Sequence, residues 1–140
     1  MPHRILALKE RPEYALALKE LIEPHGYEVL IVHTIEEALE TLHRVQVSMV
    51  ILAVHLQEGN VFDLIRAIRI DPDSRIRKVP MVCLNVNPRL HATYLNDSLE
   101  TSAKALGADR FITMEPYDAV RLWKEIEKML PDEISSEQGN

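Results

Sequence analysis

The sequence predicts an α/β fold: a doubly wound, five-stranded parallel sheet of strand order 2-1-3-4-5 with helices on both faces. Three observations carry this. Five short apolar runs lack polar alternation, as strands covered on both faces require. Segments with the apolar spacing of helices lie between them. Strand and helix alternate throughout, which demands right-handed crossovers, and five such units favour that strand order.

The first strand is "ILAL", Ile5 to Leu8, and the helix after it is marked by Ala15, Leu18 and Ile22. Pro12 suits its first turn, and Pro24 with Gly26 stops it. "VLIV", Val29 to Val32, is the second strand; "TIEE", Thr34 to Glu37, then reads as a capping box opening a helix with Ile35, Ala38, Leu39 and Leu42. The third strand is "MVILAV", Met49 to Val54, and Asn60 can cap a helix carrying Val61, Leu64, Ile65 and Ile68. "PMVCL", Pro80 to Leu84, is the fourth, followed by Leu99, Ala103 and Leu106 at helical spacing and by Gly107 where a left-handed residue is wanted. "RFIT", Arg110 to Thr113, is the last strand; the final helix holds Ala119, Leu122, Trp123, Ile126 and Leu130, a spacing that assigns Trp123 to the core.

Length and charge bound the function. A chain of 140 residues fits one domain, expected over residues 1–130, with the polar end "PDEISSEQGN", residues 131–140, as a disordered tail or linker stub. The net charge of −6 provides no broad basic surface for phosphates, so nucleic acid is not an expected partner. Cys83 is the single cysteine, which excludes an internal disulfide and fits a cytoplasmic location. "MPHRILALKERPEY" is interrupted by His3, Arg4, Lys9 and Glu10, and no apolar run approaches the roughly 20 residues that span a bilayer, so neither export nor a membrane anchor is expected.

Several chemistries can be weighed directly. Four glycines, Gly26, Gly59, Gly107 and Gly139, draw neither a P-loop nor a dinucleotide fingerprint. The six histidines have no metal-ligand spacing, and His55 reads as a packed or exposed side chain. "CLNVNPR" places Cys83 and Arg89 at the Cys-x5-Arg spacing of protein phosphatases. That reaction needs a thiolate in a loop of converging N–H groups. Here Cys83 falls inside a strand, Pro88 has no N–H, and no glycine lets the loop close, so a buried core thiol is the better reading.

In an open α/β sheet the working edge lies at the carboxyl ends of the strands. That edge is built by Lys9 and Glu10, by Ala53 to Gly59, by Asn85 to Pro88 and by Met114 to Pro116.

"RILALKERPEYALALKELIEPHGYEVLIVHTIEEALETL", "MVILAVHLQEGNVFDLIRAIR", "DPDSRIRKVPMVCL" and "ALGADRFITMEPY" resemble, in this order, the receiver domain of bacterial two-component response regulators, of the flavodoxin-like fold seen in single-domain chemotaxis regulators. The resemblance runs from Arg4 to about Leu130. It implies a phosphotransfer pocket: two acids after strand 1 that help hold Mg²⁺, an Asp ending strand 3 that takes the phosphoryl group from a histidine kinase, and a hydroxyl and a Lys that bind its oxygens. Carried over residue by residue, the acidic pair falls on Lys9 and Glu10, the acceptor on Ala53, the hydroxyl on Asn85, and the lysine on Met114 or Glu115. Acceptor, one metal ligand, hydroxyl and cation are thus replaced together, the pattern of a degenerate receiver, and neither metal nor cofactor is expected.

Lys9, and Glu115 where the lysine position is taken to fall on it, exchange the signs the family has there, so Lys9 can pair with Glu10 or Glu115 and hold one conformation without phosphate; solvated surface charges are the competing reading. The resemblance also implies that the face of the fourth helix, fifth strand and fifth helix carries signal to partners and mediates dimers. On it, Tyr94, Leu95 and Phe111 are expected contact residues, with Phe111 at the family's aromatic switch position or simply a strand aromatic. The sequence therefore points to a signalling domain whose partner is a protein: a histidine kinase, another regulator or a second copy. A small enzyme using Cys83 and Arg89, or an adaptor domain of a longer signalling chain, are the alternatives.

Overall fold

The computed structural model describes residues 3–8, 12–53, 60–85, 93–114 and 118–130. Its strands are β1 (Arg4–Leu8), β2 (Glu28–Val32), β3 (Met49–Ala53), β4 (Met81–Asn85) and β5 (Arg110–Thr113). All pairings are parallel, in the order β2-β1-β3-β4-β5. The helices are α1 (Pro12–Ile22), α2 (Ile35–Arg44), α3 (Asn60–Arg69), α4 (Ser74–Arg77), α5 (Thr93–Leu106) and α6 (Ala119–Met129). The flavodoxin-like arrangement expected from the alternating periods is the one found.

Alternate residues of each strand enter two apolar layers, because successive side chains of a strand point to opposite faces. Leu6, Val50, Leu52, Met81, Cys83 and Phe111 pack with Ala38 and Leu42 of α2, Leu64, Ile65 and Ile68 of α3, Ile76 of α4, and Leu99 and Ala103 of α5. Ile5, Ala7, Met49, Ile51, Val82, Leu84 and Ile112 pack with Leu18 and Ile22 of α1 and Leu122 and Ile126 of α6. Every residue of β3 and β4 is buried, which explains why their sequences show no alternation.

Local chemistry ends the elements where the sequence indicates. The α1 helix stops at Ile22, a 3-10 turn of Glu23–His25 follows, and Gly26 takes φ 95°. Thr34 caps α2, its hydroxyl accepting the Glu37 N–H at 3.1 Å. Gly107 follows α5 at φ 125°. Asn60 opens α3, but its side chain lies outside the described residues, as do residues 131–140.

Two features depart from the expectation. A short helix, α4, stands between α3 and β4, so the fourth and fifth helices of the sequence reading are α5 and α6. The α5 helix begins at Thr93, before Leu99, an extended helix start being one of the two ways, with a loop, in which the long Asn85-to-Gly107 segment could be filled. Phe111 is buried at 9% exposure in the α2–α5 layer, which corrects its placement as a surface contact: it stands in register with Cys83, also buried in that layer. Trp123 is partly buried against the other layer, with its ring stacked on His25 at 3.8 Å.

Candidate functional site

The carboxyl edge of the sheet is set by register. Ala53, the last residue of β3, stands beside Leu84, and Asn85 ends β4 beside Thr113 of β5. The Met114 N–H continues the β4–β5 pairing by donating to the Asn85 carbonyl at 2.9 Å. Met114 is therefore the residue that directly follows β5, and its side chain is buried at 1% exposure among Leu84, Ile112 and Leu122. Asn85 is as deeply buried, and Ala53 is buried at 9% exposure. Lys9, Glu10 and Glu115 lie outside the described residues, as do His55 and Arg89. Tyr94 and Leu95 are in the first turn of α5, with side chains outside the described set.

The chemistry of this described edge is narrow. A methyl, a thioether and a carboxamide offer neither a carboxylate nucleophile nor a cation for a phosphoryl oxygen. Magnesium demands near-octahedral oxygen coordination. The side chains of Ala53 and Met114 supply no oxygen and that of Asn85 one amide oxygen, so the described side chains do not by themselves fit that ion. No cluster of three or more His, Cys, Asp or Glu able to hold a metal occurs among the described residues.

Cys83, the other chemical candidate, sits inside β4 at 0% exposure. Burial alone pushes its thiol up to about 12, opposite to the shift a nucleophilic cysteine needs.

Sequence reasoning missed the polar junction at the other end of the sheet. Arg69, at the end of α3, donates to the carbonyls of Gly107 (2.8 Å), Arg77 (2.8 Å) and Val79 (2.7 Å) and to Asp109 Oδ2 (2.9 Å). The same Asp109 oxygen accepts the Met81 N–H at 2.8 Å. One guanidinium thereby joins α3, α4, the start of β4 and the end of α5. No helix among the described residues is long and apolar enough to cross a membrane.

No protein-family model matches the sequence, and no curated protein matches it. Solved structures do. The chemotaxis response regulator CheY4 of Vibrio cholerae superposes with a TM-score of 0.75 at 19% identity, over 93% of this chain and 100% of that one. The receiver domain of a signal transduction histidine kinase from Syntrophus aciditrophicus gives 0.74 at 27% identity, over 91% and 89%. A sensor protein from Polaromonas sp. JS666 gives 0.71 at 26% identity, over 91% and 94%. Sheet order, helix placement and these neighbours agree, and the chain has the fold of the response-regulator receiver domains.

Proposed function

We propose that this chain is a signalling domain of two-component type that works by protein contact, without phosphorylation of an aspartate at the end of β3. The observation that carries the reading is the end of β3 itself: Ala53 stands there, buried, at the central carboxyl edge of the sheet. Met114 directly after β5 supports it: of the two residues on which the family's lysine falls, Met114 and Glu115, the first is a thioether buried in the core and neither is a cation. Its partner is a histidine kinase, another regulator or a second copy, and the face of α5, β5 and α6, with Tyr94 and Leu95 in the first turn of α5, is the proposed contact surface. Lys9, paired with Glu10 or Glu115, is proposed to stand in for phosphate in holding one conformation; Lys9→Met then lowers stability or partner binding, and no change in either removes that element. The burial of Cys83 favours this signalling role over a phosphatase.

The test is an amide NMR titration with Mg²⁺ and then beryllofluoride, a phosphoryl mimic. The expected result is no cluster of shifts at the edge. Saturable shifts centred on Ala53, Asn85 and Met114 would show a working anion or metal pocket and overturn the reading.

A further inference from the structure

His43 lies in the last turn of α2 with both ring nitrogens engaged. Its Nδ1 is 2.8 Å from the Leu39 carbonyl oxygen, and its Nε2 is 2.8 Å from Oδ2 of Asp71, in the segment between α3 and α4. A carbonyl and a carboxylate oxygen only accept. Neutral imidazole has one N–H and can satisfy one of them, whereas imidazolium donates to both. The geometry therefore selects the protonated ring.

The far side of this contact is held independently. The Asp71 side chain is 8% exposed, its Oδ1 accepts the Asp73 N–H at 2.9 Å, and its main-chain oxygen accepts from Arg77 at 3.0 Å. The corner is thus fixed by its own bonds, while His43 reaches across to it from α2. We propose that His43 and Asp71 form a proton-operated latch, which ties the carboxyl end of α2 to the α3–α4 corner and releases it when His43 loses its proton.

The electrostatics agree in sign. The Leu39 carbonyl raises the His43 pKa most; the charge and hydrogen bond of Asp71 and the charge of Asp73 add to it against desolvation. Asp73 is itself paired with Arg75 at 3.1 Å, and on α2 Glu40 is paired with Arg44 at 3.4 Å. A folded-state pKa raised above the ordinary 6.5 gives a stabilisation fully present below that value and lost as pH rises through the folded one. The ring is half-exposed, so salt weakens the latch. Release leaves α2 seated by Ala38 and Leu42, so the change is confined to the helix end.

The experiment is a side-chain and amide NMR titration of the full chain as wild type, His43→Gln and Asp71→Asn, with melting temperatures at about pH 6 and about pH 8.5 on either side of the histidine range. In the wild type, His43 is expected to titrate above the ordinary histidine range, with amides of Thr41–Val45 and Asp71–Asp73 moving at the same midpoint. In Asp71→Asn the midpoint falls back. The Tm gap between wild type and His43→Gln should shrink at the higher pH. An ordinary His43 midpoint without coupled amide shifts, or a Tm gap independent of pH, overturns the proposal. Because Asn keeps an oxygen for the Asp73 N–H, Asp71→Asn preserves the corner, and His43→Gln decides the question by itself if that variant does not fold.

Discussion

At the scale of single residues, two glycines test how rigid the Arg69 junction is. Both have positive φ, so alanine is strained at either. At Gly26 an added Cβ meets nothing within 4 Å, whereas at Gly107 it would stand 2.5 Å from Arg69 Cγ. Arg69 cannot swing aside without losing acceptors on Gly107, Arg77, Val79 and Asp109. Gly26→Ala is therefore expected to cost about 1 kcal/mol and Gly107→Ala about 2 kcal/mol or more, measured by urea unfolding; equal losses would mean that the arginine is not pinned. Cys83 gives a second prediction: its thiol, buried and pushed up to about 12, should resist thiol reagents in the native state and react at the rate of unfolding. Rapid labelling of folded protein would reopen the enzyme reading. The turn role of Gly107 was legible in the sequence because a helical pattern stops there. The role of Arg69 was not, since an arginine in an amphipathic helix reads as solvated, and its acceptors come from segments far apart in sequence.

At the scale of elements, apolar runs located every strand, because a strand buried on both faces has no reason to alternate. The α4 helix stayed hidden: its span, Ser74–Arg77, is too short for a period, and its local signal is the Asp73 side chain accepting the Arg75 N–H at 2.9 Å. Phe111 was misplaced because a strand read from sequence does not say which of its faces a helix will cover. The structure answers with α5, whose Leu99 and Ala103 share the layer of Phe111. The clearest local signal was the start of α2. Thr34 accepts the Glu37 N–H at 3.1 Å, and Thr34→Ala should cost about 1 kcal/mol while Thr34→Ser costs little, by thermal or urea unfolding. If both substitutions cost the same, the loss comes from packing of the threonine methyl and not from the cap.

At the scale of the whole molecule, the sheet separates two apolar layers that must fold as one if an event at the carboxyl edge is to be felt on either face. That Ala53, Asn85 and Met114 reach the same end of the sheet was legible from strand order, and register brings them there; Lys9, Glu10 and Glu115, expected at the same edge, lie outside the described residues. Among the described residues no helix contributes to both layers, so their coupling runs through strands such as β3, where Val50 and Leu52 enter one layer and Met49 and Ile51 the other. Ile65 of α3 and Ile51 of β3 lie in opposite layers, and both are fully buried. Ile65→Val and Ile51→Val should each cost about 1 kcal/mol. Because the two residues belong to opposite layers, their effects should add to within about 0.5 kcal/mol. The double variant should nevertheless unfold in a single transition with an unchanged urea m-value, because the sheet exposes both layers together. Two transitions, one sensitive to each substitution, would mean that the layers open independently, and the sheet would then be a partition between two modules and not the connection between them.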